Sequence, residues 1–326
     1  MPKYWMITNR ELEHDEDDHA VGFSGQIGEL SYWIADEGRL DRFASWTPKT
    51  KDEFKVALVR AASAFPLIED PRRNGDQKHV SVFIHGYNNR WDEAAKRYQS
   101  IVQRIFEEED LGLCILYTWP SNGKPYEYLP DRQEADRCAG QLSEVLNELY
   151  DWALEKQVDA ATDPADACRA KISILAHSMG NYVLQKAMQY TWTRKNMPLL
   201  VSLVTQLLMI AADVDNDLFQ CGEVVDQSDG DAIANLCYRV TALYTGRDEV
   251  LGMSAGLKQF GKRRLGRSGL DTGVPAPDNV WDVDCTGLIP PNASSDHSAY
   301  FDSQKTIALI KQVLRGVDRN VIMSKP

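Results

Sequence analysis

"KISILAHSMGNYVLQ", residues 171–185, changes its period in the middle. Ile172, Ile174 and Leu175 make a β-favouring apolar run, whereas Tyr182, Val183, Leu184, Ala187 and Met188 recur at helical spacing. Between them stands Ala176-His177-Ser178-Met179-Gly180. A strand that turns sharply into a helix thrusts the residue at the turn out of the sheet. The positions two before and two after it must then be small, because the turn presses them against neighbouring backbone. Ala176 and Gly180 meet that condition. A helix beginning at Met179 also aims its positive end at Ser178, where it favours negative charge. Ser178 is therefore a candidate nucleophile. A serine that only caps a helix after a core strand would share this pentapeptide, so the rest of a catalytic set has to be found elsewhere in the chain.

Working outward, strand-like and helix-like segments alternate. Strands are predicted at 3–9, 30–36, 79–85 and 112–119, and again near 205–212, 238–245 and 279–285. Helices are predicted at 91–108 and 132–156, the second with Ala135, Cys138, Leu142, Val145, Leu149 and Trp152 on one face. A final helix is predicted in "DSQKTIALIKQVLRG", with Asp302 as its N-cap and Gly316 as its C-cap. Near-continuous apolar strands separated by helices predict an α/β fold, a mostly parallel sheet covered on both faces. A single domain over 1–326 is expected, with 249–296 as one long connection. No phosphate-cradling glycine loop follows any strand, so nucleotide binding has no support.

Composition narrows the setting. The chain has 326 residues, 43% of them hydrophobic, enough for a large core. Its 48 acidic against 36 basic residues, a net charge of −12, disfavour nucleic acid or an anionic membrane as the main partner. The N-terminus lacks the apolar core of a signal peptide. The longest apolar stretch, 198–212, is interrupted by Ser202, Thr205 and Gln206 and too short to span a bilayer, so no membrane span is expected. The six cysteines are scattered without a C-x-x-C pair, which predicts reduced, buried thiols and a cytoplasmic location. The acidic run "EHDEDDH" (13–19) contains two histidines, yet a hydrated loop explains it better than a metal site.

The histidine partner of Ser178 follows largely by elimination among six. His14 and His19 lie in the acidic run, and His79 opens a strand at the end away from the strand C-termini, where such sites sit. His177 adjoins Ser178, so its ring should point away from the hydroxyl. His85 begins "HGYNN", a loop with a different task. His297, in "SSDHSAYF" after the last predicted strand, remains. The acid should lie between serine and histidine at a strand C-terminus. Asp248 in "YTGRDEVLG" is favoured, with Asp213 and Asp215 in "AADVDND" as alternatives. Acyl transfer also needs two backbone N–H groups for the oxyanion. Met179, next after the nucleophile, should give one, and Tyr87, after His85-Gly86, the other.

The order Ser178…Asp248…His297 resembles that of the α/β-hydrolase superfamily. Within it the chain is similar to the α/β-hydrolase family named domain of unknown function 900. The landmarks, in order, are "WMITNR", "HGYNN", "YTWPSNGKPYEYLPDRQEA" with Tyr128 and Asp131, "AHSMGN", "AADVDND", "YTGRDEVL", "RLGRSG" and "HSAYF". They run from about residue 4 to 317, and only the set is specific. Asp296 departs from the pattern, where a glycine is expected before the histidine. The resemblance implies an α/β-hydrolase fold and a serine hydrolase, and brings no substrate.

The expectation is a hydrolase of carboxylic esters, or of thioesters, acting on a small-molecule acyl substrate without metal or cofactor. Amide or peptide hydrolysis by the same residues is the alternative among enzymes, and a non-catalytic binding or scaffold protein the alternative outside them. Lys258, Lys262, Arg263, Arg264 and Arg267 form a basic cluster in 249–296, expected as a solvated face, or else as a rim steering an anionic substrate. Trp119 is expected either at the pocket wall or in the core. The sequence leaves the oligomeric state open.

Overall fold

The opening hairpin sets one edge of the molecule. β1 (Tyr4–His14) pairs antiparallel with β2 (Ala20–Ala35), whose far side pairs with the short β3 (Thr47–Lys49). The acidic run is the exposed turn of this hairpin, with His19 Nδ1 3.5 Å from Asp15 Oδ1. Sequence reading caught only the buried ends of β1 and β2. Their outer halves carry polar residues, and the β2 stretch is rich in glycine, so the apolar signal fades before the pairing does.

The computed structural model describes residues 2–121, 128–163, 168–194, 202, 204–220, 230–257, 262–273, 275–291, 293 and 295–324. Two compact units, Met1–Lys171 and Ile172–Pro326, make up the chain. In the first, the strands are ordered β3-β2-β1-β5-β4, with β4 (His79–Ile84) and β5 (Gly112–Thr118). β1 and β4 both run parallel to β5. β4 is buried at every position, as a strand covered on both faces requires. Gly112, at φ +110°, opens β5 where a Cβ would stand 2.2 Å from the His79 carbonyl oxygen, so only glycine fits.

Among the described residues of this unit are three α-helices. α1 (Lys51–Ser63) starts with a capping box, Thr50 and Glu53 satisfying each other's backbone N–H, and its weak amphipathicity hid it from sequence reading. α2 (Trp91–Ile101) continues into a π-helical turn, Val102–Glu107. α3 (Tyr128–Thr162) is longer than predicted, and its expected apolar face is buried from Ala135 to Trp152.

The second unit holds β6 (Lys171–His177), β7 (Val204–Ile210), β8 (Cys237–Tyr244) and β9 (Val280–Asp284), adjacent in that order and all parallel. Its helices are α4 (Gly180–Arg194), α5 (Asp231–Leu236), α6 (Glu249–Leu257), α7 (Leu265–Ser268), α8 (Gln304–Leu314) and α9 (Arg319–Ser324). α8 buries Ile307, Leu309, Ile310, Val313 and Leu314, each worth roughly 1.5–3 kcal/mol when withdrawn from water. Its N-cap is Ser303 rather than Asp302, and its C-cap is Arg315 rather than Gly316, which follows at φ +73°. Parallel strands alternating with helices, after an antiparallel hairpin edge, are the α/β architecture the sequence predicts. The strand C-termini carry the loops described next.

Candidate active site

β6 ends at His177 and α4 begins at Gly180, which leaves Ser178 and Met179 to make the turn. Ser178 takes φ +54°, a left-handed conformation unusual outside glycine and costing of order 1–3 kcal/mol. Several bonds hold it there. The Ser178 N–H donates to the Ile210 carbonyl at 3.0 Å, and the Ser178 carbonyl accepts the Asp213 N–H at 3.2 Å. Asn181 Nδ2 donates to the carbonyls of Ala176 (3.0 Å) and Ser178 (3.1 Å). The Met179 N–H makes no hydrogen bond among the described residues, and neither does the Ser178 hydroxyl. Ala176 is fully buried, so the turn accepts its methyl group where a glycine would also serve.

Beyond β8, Asp248 sits at the head of α6 with no exposed surface. Its Oδ1 accepts the Leu251 N–H at 2.9 Å, as an N-cap does, while its Oδ2 accepts from His297 Nδ1 at 2.7 Å. A carboxylate can only accept here, so His297 carries its proton on Nδ1 and presents Nε2 as a base. Nε2 has no hydrogen-bond partner among the described residues. The structure thus brings His297 to Asp248. Asp213 and Asp215 face Arg264 instead, a side chain only 1% exposed. Its Nε lies 3.4 Å from Asp213, and its Nη1 bonds to Asp215. Ser254 Oγ donates to Asp213 Oδ1 at 2.8 Å.

Arg264 is therefore a core residue, neither a solvated charge nor a rim group. Lys262 pairs with Asp217 at 3.0 Å, and Lys258 lies outside the described residues. Two residues along, Gly266 approaches the chain after β7 so closely that a Cβ would stand 2.1 Å from the Ala211 carbonyl carbon. The stretch 264–269 in this way braces the backbone that holds Ser178.

His177 has a larger part than its position suggested. Its Nε2–H donates to the His297 carbonyl at 2.9 Å, and the two rings lie 4.9 Å apart. Phe301 meets the His177 ring edge-on at 5.4 Å. The bond joins residues 120 apart in sequence, so no local pattern announced it.

In the first unit, Tyr87 follows β4 in the "HGYNN" loop, where Asn88 takes φ +57° and Asn89 Nδ2 donates to the carbonyls of Gly86 and Tyr87. His85 anchors this loop from within. Its Nδ1–H donates to the Gly86 carbonyl at 2.8 Å, and Nε2 accepts from Thr118 Oγ1 (3.0 Å) and the Trp119 N–H (3.2 Å). Burial, reinforced by the Arg10 charge, lowers the His85 pKa to about 3 and keeps the ring neutral. Arg10 also reaches the loop directly, its Nη2 donating to the Asn89 carbonyl at 2.9 Å. Trp119 is fully buried, stacked on His85 and bonded to its carbonyl, and so belongs to the core.

Other nucleophiles fit less well. Cys114, Cys138, Cys237 and Cys285 are free and buried, and Cys168 is half-buried. Burial pushes the thiols up, to about 12 for Cys138 and Cys285, so they carry no thiolate near neutral pH. Cys221 lies outside the described residues, as do 122–127 of the "YTWPSNGKPYEYLPDRQEA" stretch. Among the described residues no cluster of His, Cys, Asp or Glu is arranged to hold a metal, and no helix is long and apolar enough to cross a membrane.

A serine on a strained strand-to-helix turn, in a parallel sheet with its loops at the strand C-termini, defines an α/β-hydrolase fold. Residues 65–274, more than half of the chain, match the family described as alpha/beta hydrolase of unknown function (DUF900), and the chain belongs to that family. No curated protein matches it. Solved structures similar to it include lipase B of Aspergillus fumigatus, with 14% identity over 86% of this chain and 60% of that one, at a TM-score of 0.37. Phospholipase PlaB of Legionella pneumophila gives 14% identity over 76% and 60%, also at 0.37. Carboxyl esterase 2 of the mycorrhizal fungus Tuber melanosporum gives 11% over 88% and 80%, at 0.39. The chain thus spans 60% of the length of the first two.

Proposed function

We propose that this protein is a serine hydrolase of carboxylic esters, with thioesters open to the same chemistry. The observation that carries the reading is the buried Asp248 carboxylate on His297 Nδ1 at 2.7 Å, within the unit that holds Ser178 at φ +54°. Ser178 Oγ attacks the ester carbonyl carbon as His297 Nε2 takes the hydroxyl proton. The charge on the carbonyl oxygen is held by the Met179 N–H, with the Tyr87 N–H as the second donor expected from the sequence. Collapse breaks the bond to the alcohol oxygen, which leaves with the proton from His297. Water then attacks the acyl-serine, gives its proton to Nε2, and releases the acid with Ser178 restored. Asp248 keeps the imidazole in the required tautomer and stabilises its charged form.

Turnover of p-nitrophenyl acetate and butyrate by the wild type and by Ser178→Ala tests this. We expect a p-nitrophenol burst followed by steady turnover in the wild type, and a loss of at least a thousandfold in the folded variant. Equal rates for both would overturn the proposal.

A further inference from the structure

Two carboxylate side chains link the loops that follow β8 and β9. One link is Asp248 with His297. The other lies one residue earlier in each loop, where Arg247 Nε donates to Asp296 Oδ2 at 2.9 Å and Nη2 reaches Asp296 Oδ1 at 3.4 Å. The same Nη2 donates to the Ile289 carbonyl at 2.8 Å, so one guanidinium grips the histidine loop at two points. Below this, the Thr286 hydroxyl accepts the Gly246 N–H at 3.0 Å and faces Thr245 Oγ1 at 3.3 Å. We propose that Arg247 and Asp296 are positioning residues, a forked ion pair that fixes the spacing of the two loops from which Asp248 and His297 meet. The proposal rests on the serine-hydrolase reading above and adds the residues that hold its acid and base in register. It also explains Asp296, the position where the family pattern led us to expect glycine.

The reasoning is geometric and electrostatic. The side chains are 35% and 19% exposed, and a pair this accessible adds little to global stability. A planar guanidinium bonded to both carboxylate oxygens and a carbonyl nevertheless restricts orientation far more than a lysine would. A displacement of about 1 Å between reacting groups can cost a hundredfold in rate. The charges matter as well. Asp296 adjoins His297, and Arg247 balances its charge. His297 contacts Asp248 and His177, while Tyr300 lies near Asp248, and Asp284 lies near Arg247. Burial holds the Tyr300 phenol well above its ordinary pKa, so it stays neutral. None of them changes in the variants below.

The test compares wild type, Arg247→Met, Asp296→Asn, the double variant and Arg247→Lys, each checked for folding by near-ultraviolet circular dichroism. One readout is the rate of fluorophosphonate labelling of Ser178 from pH 5 to 9. The other is the downfield proton resonance of His297 Nδ1–H, which requires no chemistry. We expect both single variants to label about tenfold more slowly or worse. The double variant should label no more slowly than the slower single variant, because either change alone breaks the same pair. Arg247→Lys should also label more slowly than the wild type, because an ammonium cannot make the forked contact, and it carries the test if Arg247→Met does not fold. The resonance should weaken in both single variants. Wild-type rates, or an unmoved resonance, in the folded single variants would overturn the clamp. A folded wild type that never labels would sink the hydrolase reading alone; the clamp then stands if the resonance weakens in the variants and falls if it does not.

Discussion

Replacing Asp248 by Asn separates orientation of the histidine from support of the fold. The amide oxygen can still accept the Leu251 N–H that Asp248 Oδ1 takes at 2.9 Å, and Asn is as good an N-cap as Asp, so α6 should start unchanged. The amide NH2 then faces His297 Nδ1 where Oδ2 stood at 2.7 Å. A donor facing a donor drives the ring proton to Nε2, the atom that must receive the serine proton. Loss of the orienting carboxylate typically costs about 10⁴ in turnover, or about 5.5 kcal/mol in barrier. Asp213→Asn makes the contrast. It removes the charge 3.4 Å from buried Arg264 Nε while Asp215 still pairs with that guanidinium. The loss should appear as about 1–3 kcal/mol of stability, with turnover per folded molecule little changed. The assay is kcat/KM on p-nitrophenyl butyrate together with urea unfolding followed by circular dichroism. If Asp213→Asn is dead while Asp248→Asn stays within tenfold of wild type, both folded, the acid assignment is wrong.

Two further outcomes follow from the first unit. His85 has a pKa near 3 in the folded chain, below the ordinary 6.5, because it is buried neutral beside Arg10. Its stabilisation is therefore fully present above pH 6.5 and is lost as pH falls toward 3, since the unfolded chain binds the proton first. Between pH 7 and 5 that amounts to about 2 kcal/mol, and urea midpoints of the wild type should fall more steeply over this range than those of His85→Gln; parallel slopes would contradict it. For the loop it anchors, Tyr87→Pro deletes the N–H proposed as the second oxyanion donor and Tyr87→Ala keeps it. The proline variant should turn over about a hundredfold more slowly than the alanine variant, and equal turnover by the folded pair would remove Tyr87 from the proposal.

What the sequence made legible was whatever short-range patterns encode. β4 and β6 read clearly because strands buried on both faces are continuous apolar runs, and the change of period at Ser178 located the turn to the residue. His297 emerged because five other histidines had local reasons to be set aside. The acid stayed ambiguous among Asp213, Asp215 and Asp248, since each follows a strand and only three-dimensional pairing separates them. Arg264 looked like one more charge in a basic stretch, because burial by partners some 50 residues away leaves no periodic trace. The bond from His177 to the His297 carbonyl was invisible for the same reason, and Asp296 drew notice only as a departure from a pattern.

Fluorophosphonate labelling of the wild-type protein, with the adduct mapped by peptide mass spectrometry, reads the nucleophile itself. One stoichiometric adduct on Ser178 is expected, absent in Ser178→Ala and formed far more slowly in His297→Gln. Natively folded protein that takes no label, or takes it at another residue while Ser178 stays free, would contradict it.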